Sequence, residues 1–170
     1  MADITPHSVK DSEVALSVLM RLADANPSGN VHGGEIVRYV DEAGGLAAIR
    51  HCRMRVVTVH IDGMSFVAPV YVGDLVTFKA SVNDVGRTSL EVGVRVEAEN
   101  LLTGEIRHIS TAFLVYVALD DNGRPTVVPP LLAETEQDRQ RQAASRVRRE
   151  FRLRREEATR AAREGAADAA

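Results

Sequence analysis

A carboxamide at Asn26, a glycine pair at Gly33 and Gly34, and a carboxylate at Asp41 fall inside "NPSGNVHGGEIVRYVDEAGG", residues 26 to 45. Asp41 stands among apolar and tiny neighbours, where a carboxylate costs several kcal/mol unless it is paired or protonated. A chain that places one there usually has a reason. The plain alternative is a surface ion pair with Arg38, three residues earlier on the same helix. The glycine pair marks a helix start, where unpaired N–H groups and the positive end of the helix dipole can hold an oxyanion. Asn26 falls in a turn to which Gly29 lends conformational freedom. A helix starting near Gly34 puts Asp41 about 10 Å along its axis. A carbonyl at the glycines of one chain is therefore met more easily by Asp41 of another chain, and a composite, interfacial site is expected. His32 beside the glycines is not read as catalytic: a helix N-terminus disfavours its cation, and the sequence identifies no acid to orient it. His51, His60 and His108 read as strand or helix-end residues.

The elements that must position these groups follow from the patterning. Gly33 to about Cys52 holds no proline, and its apolar rows, Ile36/Val40/Ala43/Ala47 and Val37/Gly44/Ala48, repeat every three or four residues. That spacing predicts a helix apolar over most of its circumference and wrapped by other elements. "EVALSVLMRL" (13 to 22) reads as a strand before it. Four β-branched stretches follow, at 56 to 69, 74 to 85, 88 to 100 and 105 to 119, each ended by turn residues. The order is α+β: one antiparallel sheet curled around one long helix. "DDNGRPTVVPPLL" (120 to 132) closes this body, because its three prolines deny helix and central strand. Residues 134 to 164 have no proline and one narrow apolar stripe: Ala144, Val147, Phe151, Ala158 and Ala161, broken by Arg154. A solvated helix is predicted, its stripe docking on the chain's own surface or a sister subunit. The chain thus divides into a domain at 1 to 133 and a charged helical extension at 134 to 170 with disordered last residues.

Composition bounds the function. A length of 170 residues with 45% hydrophobic content fills one core, and the net charge is −3. Residues 1 to 133 carry 11 basic and 16 acidic side chains, residues 134 to 170 carry 10 and 8. An acidic body speaks against a nucleic-acid footprint. No apolar run reaches the roughly 20 residues of a membrane span, and the N-terminus lacks a signal-peptide pattern, so a cytoplasmic protein is expected. The single cysteine, Cys52, gives neither an internal disulfide nor a metal-ligand cluster, and no metal is expected.

Five blocks, "DANPSGNVHGG" (24 to 34), "VDEAG" (40 to 44), "VVTVHIDGMSFVAPVYVGD" (56 to 74), "GRTSLEVGVRVEAENLLTGE" (86 to 105) and "FLVYVALDDNGRPTVVPPL" (113 to 131), resemble the acyl-coenzyme A thioesterases of the hotdog fold. The resemblance is to the cytosolic long-chain acyl-CoA hydrolase subgroup. It implies a curved antiparallel sheet around a central helix, two hotdogs as the minimal unit, and larger homo-oligomers, a trimer of dimers among them. The family's catalytic pair falls on Asn26 and Asp41, with Asp41 activating water and the amides of Gly33 and Gly34 polarising the thioester carbonyl. Its coenzyme A contacts fall on Thr58, Val59 and His60 after the helix and on Arg87, Thr88 and Ser89 in a turn, with Arg148 or Arg149 of the tail within reach of a phosphate. Coenzyme A enters as part of the substrate, and no separate cofactor is implied. Two other activities remain open: an enoyl-CoA hydratase or dehydratase, which pairs a histidine with an acid near the helix, and a non-catalytic acyl-CoA-binding module.

Overall fold

A computed structural model describes residues 5–167. The long proline-free segment forms helix α2 (Gly33–Cys52), preceded by strand β1 (His7–Ser8), helix α1 (Val9–Ser12) and strand β2 (Val14–Leu19). His32 caps α2, its Nδ1 accepting the Gly34 N–H at 2.9 Å. The helix ends where Arg53 turns left-handed at φ 55° and its N–H returns to the Ile49 carbonyl. The buried face is Ile36, Val40, Ala43, Gly44, Ala47, Ala48, His51 and Cys52. Small residues dominate it, so the helix axis can lie close to the sheet.

That sheet contains β2, β3 (Arg55–Ile61), β4 (Asp74–Val85), β5 (Ser89–Asn100) and β6 (Ile106–Leu119) in the order β2-β4-β5-β6-β3, every neighbouring pair antiparallel. Alternation sorts its side chains. Phe78 and Val82 of β4, Val92 and Val94 of β5, and Leu114 and Tyr116 of β6 are buried in the core that α2 completes. Register shifts at Val82/Asp84, Val96/Glu97 and Thr58/His60 add the local twist that curls the sheet around the helix. The expected α+β wrap is the observed architecture.

Two details were absent from the sequence reading. The proline-rich closing segment contributes a two-residue strand, β7 (Leu131–Leu132), which pairs in parallel with β1 outside the main sheet. Helix α1 buries Val9 and Ser12, and the Ser12 hydroxyl accepts the Val82 N–H at the β4 bulge.

The charged tail forms helix α3 (Glu136–Ala167), lying across the sheet face opposite α2. Gln142 binds Asp84, Arg148 binds Glu91 and stacks over Phe113, Arg152 binds Asp62, and Arg155 meets His60. Of the two docking modes expected for the stripe, the chain's own surface is not the one used: the inward face of α3 is polar, while Val147 and Phe151 stay 52% and 66% exposed. Acids on the sheet select the arginine face, because burying them unpaired would cost more than leaving two apolar side chains in water. The disorder expected of the last residues concerns 168 to 170, which lie outside the described residues.

Candidate active site

Asp41 stands two turns into α2, half-buried, and its carboxylate points at the inner face of β3 and β6. Its Oδ1 accepts a hydrogen bond from the Thr58 hydroxyl at 2.7 Å. The Tyr116 hydroxyl donates to the Asp41 carbonyl at 3.0 Å and lies 3.3 Å from the same Oδ1. Among the described residues Oδ2 has no hydrogen-bond partner. The surface ion pair with Arg38 does not form: that guanidinium bridges Glu35 and Glu42 at 3.0 and 2.6 Å and covers the Tyr39 ring. Burial first, and then the charge of Asp41, raise the Tyr116 phenol above its ordinary pKa, so it stays a donor.

The other half of the expected site lies around the helix start. Asn26 Oδ1 accepts the N–H groups of Ser28 and Asn30 at 2.9 and 3.3 Å, and its own N–H reaches the Asn30 carbonyl. This tight loop, with Gly29 at φ 86°, leaves the side-chain amide nitrogen as the free donor. Asn26 and Gly33 line a pocket of about 200 Å³ together with Ile36, Phe66 and Val70. The Gly34 amide is held by His32 Nδ1, so Gly33, first in the helix, offers the N–H without an intrahelical acceptor. His32 is therefore a cap and accepts through Nδ1. Asp41 does not line this pocket, and its eight-residue separation from Gly33 amounts to roughly 12 Å of helix. One chain thus carries both halves of a site without joining them.

The residues expected to hold coenzyme A divide in the same way. Thr58 turns inward to Asp41, whereas the register shift around Val59 turns His60 to the opposite face, with its Nε2 3.0 Å from Asp62 and 3.2 Å from Arg155. Val59 itself is 53% exposed on the open edge of the sheet. Arg87, Thr88 and Ser89 form the β4–β5 turn, where the Gly86 N–H bonds the Ser89 carbonyl and Thr88 and Arg87 accept from Ala118 and Val128. Arg149 of α3 sits over this turn: a methyl at Gly86 would lie 3.3 Å from its Nη1. The tail thus brings a second guanidinium beside Arg87. Sequence reasoning missed Tyr116, which stands 75 residues from Asp41; its one local signal is a polar tip in the apolar run "FLVYVAL".

A curved antiparallel sheet wrapped on one long capped helix is the hotdog architecture. Residues 28–105 match the thioesterase superfamily. A *Bacillus subtilis* protein described as an uncharacterized acyl-CoA thioester hydrolase is 38% identical over 129 residues, 76% of this chain and 75% of that one. A solved apo-hexameric acyl-CoA thioesterase superposes with a TM-score of 0.86 at 36% identity, covering 89% of this chain and 97% of that chain. An acyl-CoA hydrolase from *Staphylococcus aureus*, solved with butyryl coenzyme A and coenzyme A, gives 0.86 at 26% identity, with 95% and 98% covered. The chain belongs to the acyl-CoA thioester hydrolases of the thioesterase superfamily. Alanine variants of the *S. aureus* enzyme at an asparagine, an aspartate and a threonine have also been solved, and those three positions are spaced 15 and 17 residues apart, as Asn26, Asp41 and Thr58 are here.

Proposed function

We propose that this protein hydrolyses fatty acyl-CoA thioesters to the free acid and coenzyme A, at sites shared between paired subunits. Asp41 of one subunit takes a proton from water as the water oxygen attacks the thioester carbonyl carbon. The tetrahedral oxyanion lies at the Gly33 amide of the neighbour, at the positive end of its helix, with Gly34 beside it and the Asn26 amide orienting water or thioester. When the C–S bond breaks, the coenzyme A thiolate takes the proton back from Asp41. The observation that carries this reading is the placement of Asp41: a carboxylate gripped through one oxygen and open at the other, two turns from a helix start that carries a free N–H.

The coenzyme A moiety would run from Thr58, Val59 and His60 to the Arg87–Thr88–Ser89 turn, where Arg87 and Arg149 supply planar donors for phosphate. Pairing through the open edge of β3 gives the dimer, and three dimers give a hexamer like those of the related structures. A cytoplasmic location completes the reading. Replacing Asp41 by Asn keeps the shape and removes the base, so thiol release from palmitoyl-CoA should fall at least a hundredfold in a folded protein. Activity that survives Asp41→Asn overturns the mechanism. A survey from acetyl-CoA to stearoyl-CoA reads the chain-length preference, and a 2-enoyl-CoA that gains water without releasing thiol would indicate a hydratase instead.

A further inference from the structure

We infer that Tyr116 is a positioning residue for Asp41, acting with Thr58 to anchor one carboxylate oxygen and so present the other to the reacting water. This rests on the reading of Asp41 as base. The case is geometric. Tyr116 rises from the middle of β6 through the core and is 1% exposed, yet its hydroxyl ends against α2 at the Asp41 carbonyl and Oδ1. Its single proton is shared between those two acceptors. Whichever it serves, the hydroxyl closes the core side of the carboxylate, while Thr58 closes a second approach to the same Oδ1.

The helix is built to admit that hydroxyl. A methyl added at Gly44 would overlap the Tyr116 hydroxyl, and one at Gly45 would touch the ring at 3.8 Å. The glycines of "DEAGG" are thus the space that lets a phenol reach the helix backbone one turn after Asp41. They also account for two helix-weakening residues in the middle of a buried helix, each costing up to about 1 kcal/mol relative to alanine.

No other titratable side chain among the described residues touches Asp41. On α2, Arg38 is engaged by Glu35 and Glu42. From β3 comes Thr58, with His60 turned away to Asp62. Toward the core, β4 and β5 present apolar side chains such as Phe78, Val92 and Val94. Losing one donor frees Oδ1 to turn, so the carboxylate no longer presents Oδ2 in one fixed direction.

The test is Tyr116→Phe in the full chain, assayed by thiol release from palmitoyl-CoA. The expected result is a kcat lower by about tenfold with KM unchanged within about twofold. Thr58→Val should lower kcat with the same split. If Tyr116→Phe does not fold, Gly44→Ala, which displaces the hydroxyl, should give the same split. An unchanged kcat, or a loss confined to KM, in a variant with wild-type melting behaviour overturns the inference. If Asp41→Asn is inactive while Tyr116→Phe is unchanged, the base assignment stands and the positioning role alone falls.

Discussion

His51 and Asp41 share helix α2, and the fold surrounds them differently. Asp41 is half-buried and meets two hydroxyls. His51 is fully buried, its Nε2 donates to the Pro129 carbonyl at 3.0 Å, and its Nδ1 has no hydrogen-bond partner among the described residues. Burial holds its pKa below the ordinary 6.5, and the nearby ring of His7 adds to that. The folded chain therefore keeps His51 neutral, while the unfolded chain takes up a proton near pH 6.5. Its stabilising contribution is fully present above that pH and is lost as pH falls toward the lower folded value, at up to about 1.4 kcal/mol per pH unit. Melting temperature should decline below pH 6.5, and His51→Gln, with no ring to protonate, should flatten that decline in thermal melts from pH 5 to 8. Asp41 was legible as a candidate because it is a carboxylate in a stretch rich in apolar and tiny residues. Its partners were not, because Thr58 and Tyr116 stand 17 and 75 residues away and only sheet pairing delivers them.

Among the elements, α3 shows most clearly how a helix can be legible in the sequence while the face it turns to its own sheet is not. Its stripe of Val147 and Phe151 is genuine at 3-4 spacing, yet the sheet outside β4, β5 and β6 offers acids and an aromatic, which the arginine face satisfies. Glu91 is 5% exposed and accepts from Arg148 at 2.6 Å and from Asn83 at 3.2 Å. Arg148→Ala leaves that carboxylate buried with one weak donor and should destabilise the protein by about 3 kcal/mol in urea unfolding. Adding Glu91→Gln should recover part of the loss, since a neutral amide tolerates burial better than an unpaired charge.

For the whole molecule, the open edge of β3 is the feature that a single chain leaves unfinished. Val57, Val59 and Ile61 are each more than 40% exposed along a strand whose outer hydrogen-bonding groups face no neighbour in the sheet. An edge this apolar invites another copy. Placing a glutamate at Val57 should block pairing, because it puts a charge on the apolar edge that a second copy would cover. Sedimentation should then show monomers that keep their far-ultraviolet circular dichroism, and thiol release should be lost with the partner. A dissociated yet fully active variant would refute the shared site.

The amino-acid order alone settled the local matters: the helix from Gly33 to Cys52, the run of antiparallel strands after it and the punctuating turns, and it marked Asp41 as a candidate. Periodicity, glycine placement and the cost of a carboxylate among apolar neighbours act within a few turns of chain, so they can be read without coordinates. Only the folded chain decided which hydroxyls reach Asp41, that His32 caps the helix, and which side of α3 faces inward. Those outcomes depend on which distant residues the curled sheet brings within hydrogen-bonding distance, and on the energy of burying one polar partner against another.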